Sequence, residues 1–393
     1  MAPPAWMPPP PPAPPTQSLW HRLAATLVLV AVVAASAGAG IGWSLARVIE
    51  APSRPVAVAT PSEAPIQPQP GGSPSGSASA SAVAAKISPA IVNINTTLAG
   101  GGSAAGTGQI VTSNGEILTN DHVVRGSTSI TVSIQGRSQA YPATVVAVDQ
   151  AEDVALIKID GVSGLPTVKF ADSSSLKVGD SVVAIGNALG RGGAPQWTQG
   201  SVTSLDQTIT ASEGRSSSET LTGMIESDAI IYQGDSGGAL VNSAGQVVGM
   251  ITAGQSTYGR SSGSTVGYAI TSNTALGVVN RIRAGEKAAD LTYGQIGYMG
   301  VSARTLTATD AARLGLNVSS GAFIVSVQPG SPAEAAGIGQ GSVITSVGGT
   351  AVTSTTTLGT AVKAHKPGEK VSVTWVNKTG THTSTVSLGA INP

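Results

Sequence analysis

From about residue 83 onward, short apolar runs alternate with polar turns. AIVNI (90–94), GQIVT (108–112), SITVSI (129–134), ATVVAV (143–148), DVALIKI (153–159), SVVAIG (181–186), QVVGMIT (246–252) and VGYAI (266–270) are separated by Gly, Asn-Gly or Asp/Ser turns. Runs of this length and β-branched content predict an all-β barrel or sandwich rather than alternating βαβ units. A helical stretch over 273–289 closes this unit, which spans 84–290. A second unit over 294–390 mixes strands (AFIVSV, SVITSV, KVSVTWV, HTSTVSL) with helical candidates Ala308–Leu314 and Ser331–Ala336, the pattern of a small α+β domain.

Before residue 83 the pattern changes. Residues 1–22 open with MAPPAWMPPPPPAPPT, which is uncharged and reads as a disordered or polyproline-like cytoplasmic tail. Leu23 to Ala46 carries no charge over 24 residues. As a helix that is about 36 Å, enough to cross a hydrocarbon core of about 30 Å. Trp20 and Trp43 stand near its ends, where indoles favour the interface. The rival is a cleaved signal peptide with an apolar core at Leu23–Ala34 and Ala35-Ser36-Ala37 as the cleavage site. Length favours the uncleaved transmembrane anchor, and both readings put the rest of the chain outside the cytoplasm. Residues 47–83 are a Pro/Ser/Gly/Ala linker with little to bury.

Composition then narrows the chemistry. Formal net charge is zero, only 11% of residues are charged and no basic block exists, so nucleic-acid binding has no support. With no cysteine the chain has no disulfide, no thiolate metal site and no Cys nucleophile. No metal or cofactor is expected.

One serine stands out. Ser236 lies in Gln233-Gly234-Asp235-Ser236-Gly237-Gly238, where glycines allow a tight turn and the amides of Gly234 and Ser236 can point into one oxyanion hole. Such a nucleophile needs a base. Of the four histidines, only His122 falls in the same β-rich unit, at the end of an apolar strand. The imidazole needs a carboxylate behind it. Asp153 opens the half-buried strand Val154–Ile159, and spacing alone gives it only a modest preference over Asp149.

TNDHVV, EDVALIKID, DSSSLKVGDSVVAIGN and DAIIYQGDSGGALVNSAGQVVGM, in that order, resemble the successive blocks of the HtrA (high-temperature-requirement) family of serine proteases. The resemblance runs over about residues 84–390. It implies a chymotrypsin-like double β-barrel followed by a PDZ domain, with His122 as base, Asp153 as its orienter and Ser236 as nucleophile. It also implies a pocket floor at Ile230 and Ile231, with Thr252 and Ala253 as a wall, suited to small or medium aliphatic side chains. Tyr298-Met299-Gly300-Val301 resembles the carboxylate-binding loop of a PDZ domain, and GAFIVSVQPGSPAEAAGIGQGSVITSVGG resembles its core. Implied partners are unfolded or damaged exported proteins, C-terminal peptides at the PDZ domain, and further copies of the chain, commonly a trimer in relatives. One departure is Asp235, where the family commonly has Asn. Its carboxylate could be solvated, bonded to backbone amides, or part of a switch on the oxyanion loop. Two other classes stay open at this stage, a catalytically silent anchored PDZ scaffold and an exported wall- or glycan-binding sandwich.

Overall fold

The computed structural model describes Gln67 and residues 79–212, 218–254 and 264–393. The expected membrane span at Leu23–Ala46 and nearly all of the linker lie outside the described residues. Among the described residues, no helix is long and apolar enough to cross a membrane.

Helix α1 (Ala80–Ile87) leads into the first barrel, formed by β1 (Ile91–Leu98), β2 (Ser103–Ile110), β3 (Glu116–Thr119), β4 (Ser127–Ile134), β5 (Ala140–Asp149) and β6 (Val154–Ile159). The order β5-β4-β1-β2-β3-β6 closes on itself through β5–β6 pairing. A second closed barrel has the order β10-β11-β12-β9-β8-β7. Its strands are β7 (Ser181–Gly186), β8 (Gln196–Ser212), β9 (Ser218–Ser227), β10 (Ala239–Asn242), β11 (Val247–Gly254) and β12 (Gly267–Thr271).

β6 was expected to be half-buried, yet its apolar residues on both sides of the strand are core, for a physical reason. Successive strand residues point to opposite sides. Ala155, Ile157 and Ile159 join Ile94, Ile110 and Ile117 inside the first barrel. Val154 and Leu156 face the other way, into a cluster with Val183, Ile185, Met250 and Ile270 of the second barrel. Both faces of β6 are therefore core, and burying each of its Val, Leu and Ile side chains contributes about 1.5–3 kcal/mol. The apolar side chains of the interbarrel cluster are as buried as those inside the first barrel.

Helix α2 (Asp121–Val124) is a single turn between β3 and β4. Helix α3 (Ser272–Arg283) lays Ala275, Leu276, Val279 and Ile282 on the interbarrel cluster. It starts where the Thr271 side chain accepts from the Thr274 amide. It stops six residues short of the expected end at 289, because Gly285 takes a left-handed φ of 66° just past the helix.

The chain then adds β13 (Leu291–Tyr293) to the free edge of β5 and enters the small domain. Its main sheet runs β15 (Val301–Thr305), β16 (Ala322–Val327), β17 (Val343–Val347), β19 (Lys370–Asn377), β20 (Gly380–Ser387), with β18 (Thr350–Ala351) beside β17. β14 (Ile296–Tyr298) pairs with β21 (Gly389–Ile391). Helix α4 (Ala308–Leu314) matches its sequence candidate; α5 (Pro332–Ala335) is capped by Ser331, and α6 (Thr355–Lys363) is a third helix. Buried Asn392 returns the chain to the first barrel, donating from its amide nitrogen to the Ser127 carbonyl at 2.8 Å and accepting from Gly126 at 3.0 Å.

Candidate active site

α2 presents His122 from the first barrel, and the turn before β6 presents Asp153 beside it. Asp153 holds a left-handed φ of 53°, a conformation unfavourable for a non-glycine residue. The Asn120 side chain stabilises this turn by donating to the Asp153 carbonyl at 3.0 Å. The result is a fully buried carboxylate with converging donors. Asp153 Oδ1 accepts from the His122 amide at 3.0 Å, and Oδ2 lies 2.9 Å from His122 Nδ1. The Thr252 hydroxyl, from the second barrel, donates to Oδ2. The other end of Thr252 meets the nucleophile candidate, for Ser236 Oγ donates to the Thr252 carbonyl at 3.2 Å. One residue of β11 thus touches both Asp153 and Ser236 across the barrel seam. Asp149, the alternative by spacing, is occupied elsewhere: it accepts from Arg281 at 3.2 Å and from its own turn amides.

Around Ser236 the peptide planes are set by their carbonyls. In a trans peptide the N–H points opposite the C=O. The Gln233 carbonyl accepts from the Leu189 amide at 2.6 Å, which turns the Gly234 N–H the other way. The Asp235 carbonyl accepts from Gly238 at 2.8 Å, which does the same for the Ser236 N–H. Neither of those N–H groups donates to a protein acceptor among the described residues. Gly234 has to be glycine: at φ 98° its absent Cβ would lie 2.5 Å from the Asn187 carbonyl oxygen.

Two further buried carboxylates flank the site. Asp121 pairs with Arg125, which reaches on to Glu219 of β9 at 2.9 Å. Burial pushes Asp121 up to about 6 despite that guanidinium. Among the described residues Asp235 has no cation beside it; its Oδ2 accepts from the Tyr232 amide at 2.8 Å, and its Oδ1 finds no partner there. Of the three fates considered for Asp235, amide bonding at one oxygen is what the structure shows. Burial pushes its pKa up to about 6, with the Tyr232 amide opposing.

The sign of that shift gives a test. Between pH 4 and 6 the folded state retains a proton that the unfolded state has released, so stability falls as pH rises through this window. Asp235→Asn is expected to raise the melting temperature by several degrees above pH 7 and by nothing near pH 4. Thermal melts of both proteins across this range measure it, and an equal difference at both ends would sink the assignment.

The expected pocket residues separate. Ile231 is buried, bridges to Ser264 and packs over Gly267, whose absent Cβ would sit 2.4 Å from Ile231 Cγ1. Its neighbour Ile230 is 37% exposed, as adjacent residues of an extended segment face opposite ways. Thr252 turns its hydroxyl to Asp153. Ala253 follows it in β11 and pairs with Tyr268. Among the described residues no group of three or more His, Asp or Glu side chains is gathered to hold a metal ion.

In the small domain the same peptide logic recurs. The Met299 carbonyl accepts from Ala333 and the Gly300 carbonyl from Gln328, both at 2.9 Å, which turns the amides of Gly300 and Val301 away from the core. Met299 is buried in the domain core, and half-buried Tyr298 ends β14. Among the described residues β15 pairs with β16 alone, and its other edge faces α6, where Thr305 Oγ1 accepts from the Thr355 amide at 3.1 Å.

Three residues of this site carried a signal that spacing alone did not decode. Asn120 directly precedes the Asp-His pair. Thr252 follows the apolar run of β11. Thr107 stands between Gly106 and Gly108 inside a strand, a pattern that marks close approach of another backbone.

Comparison with known proteins agrees with this architecture. Residues 106–250 match the model of a trypsin-like peptidase domain and 297–388 that of a PDZ domain. The chain is 36% identical over 295 residues to the serine protease Do-like HtrA of Lactococcus lactis, covering 73% of this chain and 71% of that one. It is 33% identical over 400 residues to the serine protease PepD of Mycobacterium tuberculosis, covering 96% and 80%. The periplasmic pH-dependent serine endoprotease DegQ of Escherichia coli is 34% identical over 269 residues, covering 68% of this chain and 55% of that protein. A double barrel whose seam gathers a His–Asp pair and a serine, a PDZ domain behind it, and relatives of this extent make the chain a member of the HtrA family of serine proteases.

Proposed function

We propose that the chain is an extracytoplasmic endopeptidase in which Ser236 attacks the peptide carbonyl, His122 takes the proton from Ser236 Oγ, and Asp153 holds the imidazole tautomer. The observation that carries this reading is the bridge through Thr252, whose hydroxyl meets the carboxylate behind His122 while its carbonyl meets Ser236 Oγ. The tetrahedral oxyanion takes hydrogen bonds from the Gly234 and Ser236 amides, each worth about 2.7–4 kcal/mol in the transition state. The C–N bond then breaks as His122 returns the proton to the leaving amine. Water, deprotonated by His122, resolves the acyl-enzyme and frees Ser236.

Substrates are unfolded or damaged exported proteins with exposed apolar segments. Ile231 supports an aliphatic preference, since its apolar surface offers no partner to a cationic side chain. The outward amides of Gly300 and Val301 and the free edge of β15 suit a C-terminal carboxylate whose peptide adds a strand to the sheet. The protease domain is taken as 84–290 and the PDZ domain as 294–390. The charge-free run Leu23–Ala46 anchors the chain in the cell membrane, and the working form is a homo-oligomer.

The test is covalent. A peptidyl diphenyl phosphonate is expected to add to Ser236, read by mass spectrometry of the labelled peptide, and casein is expected to be cleaved faster than a folded protein of similar size. An unlabelled Ser236 in protein that folds normally would remove the protease reading and leave a tethered scaffold.

A further inference from the structure

The oxyanion loop is held at successive peptides. The Leu189 amide holds the Gln233 carbonyl and the Gly238 amide holds the Asp235 carbonyl, both through backbone groups. The peptide between them, Gly234–Asp235, is held differently: its carbonyl accepts at 2.7 Å from the hydroxyl of Thr107, a fully buried residue of β2 in the other barrel. That hydroxyl has a second bond, accepting from the Asn187 amide at 2.8 Å. Asn187 opens the short loop that carries Leu189, and its carbonyl accepts from Gly190 at 2.8 Å. Leu189 itself sits at a left-handed φ of 61°, so its amide stays aimed at Gln233 only while that loop is held. The backbone of Thr107 adds a third tie, from its N–H to the Ser236 carbonyl at 2.8 Å. The Thr119 hydroxyl fixes Thr107 in turn, donating to its carbonyl at 2.7 Å.

We propose that Thr107 is the positioning residue of the oxyanion hole, its hydroxyl fastening both the Gly234–Asp235 peptide and the loop that aims Leu189. It touches no reacting atom. It acts by keeping the Gly234 and Ser236 amides on the place where charge develops, so that no rotation is needed during reaction. Without the hydroxyl, the Gly234 carbonyl and the Asn187 amide lose their partners in a buried place, and rotation of the loop peptides relieves them. Gln109, two residues along β2 and on the same face, supports the far side of the loop: its amide donates to the Gly238 carbonyl at 3.0 Å and to Gly237 at 3.3 Å. This inference rests on Ser236 being the nucleophile.

Thr107→Val keeps the volume and removes the hydroxyl; Thr107→Ser keeps the hydroxyl. With a fluorogenic peptide, Thr107→Val is expected to lower kcat about 10- to 100-fold with KM within about threefold, because the hole acts on the transition state rather than the bound substrate. Thr107→Ser is expected to retain at least a third of wild-type kcat, roughly the cost of lost packing alone. Inhibition by a peptide boronic acid should weaken in proportion to kcat/KM. A Val variant within twofold of wild type, a rise in KM at constant kcat, or a Ser variant as impaired as the Val variant would each overturn the proposal. If Thr107→Val does not fold, Thr107→Ala takes its place. Failure of both to fold, as judged by circular dichroism, overturns it too, since the hydroxyl is then structural. Wild-type protein that neither cleaves the peptide nor takes the phosphonate defeats the protease reading instead.

Discussion

Ser236→Ala is expected to lower kcat by about 10⁶-fold while leaving the fold and peptide binding at the PDZ domain unchanged. The side chain that is lost makes one hydrogen bond, to the Thr252 carbonyl at 3.2 Å, so stability changes by no more than about 1 kcal/mol. Chemistry loses far more. Without Oγ no acyl-enzyme forms, and His122 has only water to activate at a distance set for a serine. His122→Ala is expected to fall to the same floor, and the double variant no further, because base and nucleophile act as one unit. The residual rate is that of the oxyanion hole and substrate binding alone. The measurement is kcat on a fluorogenic peptide with each variant purified from cells that contribute no other protease. A Ser236→Ala protein that keeps more than about 1% of wild-type kcat would mean another nucleophile, and additive losses in the double variant would mean that the two residues act separately.

How far the site could be read in advance depended on what each residue needs from its neighbours. His122 and Ser236 were legible because chemistry limits the choice: one histidine lies in the same unit as a serine flanked by glycines. Asp153 was legible only with the family blocks, since spacing hardly separates it from Asp149. What separates them is three-dimensional. Asp153 faces the seam, and Asp149 pairs with Arg281 from α3, 132 residues away. The strands were legible from alternation and turns, but β6 was read as half-buried, and its second face became core only once the second barrel packed against it. The end of α3 was placed too late, although Gly285, which takes the left-handed φ just past the helix, is a stop signal in the sequence itself. Ile230 and Ile231 were read as a pair, and the structure buries Ile231 while leaving Ile230 37% exposed, as successive side chains of an extended segment face opposite ways. Thr107 was not singled out, and Thr252 was read only as a wall residue, for a common reason. A threonine in a β-strand is ordinary by propensity, and its role appears only once the second barrel places a carbonyl or a carboxylate against it.

Asp153→Asn is expected to cost about 10⁴-fold in kcat, with KM nearly unchanged, although it replaces one oxygen by a nitrogen. Each of the groups facing this side chain is a donor: the His122 amide, His122 Nδ1 and the Thr252 hydroxyl. A carboxylate accepts from all of them. A carboxamide has one oxygen for them and presents two N–H groups besides. With the His122 amide held on the Oδ1 side, the new NH₂ lies on the Oδ2 side, facing Nδ1 and the Thr252 hydroxyl. The imidazole then accepts at Nδ1 and carries its proton on Nε2, the nitrogen that must receive the serine proton. The imidazolium formed during attack also loses a negative neighbour that is 1% exposed and therefore weakly screened. Thr252→Val separates the two effects. It removes one donor from Oδ2 but leaves charge and tautomer in place, so its loss is expected to stay within about tenfold, the worth of a single hydrogen bond. Kinetics of both variants together with ¹⁵N spectra of the His122 ring provide the check. A proton on Nδ1 in wild type that moves to Nε2 in Asp153→Asn fits this account. An Asn variant within tenfold of wild type, or a Val variant worse than the Asn one, would show that Asp153 does not orient the base.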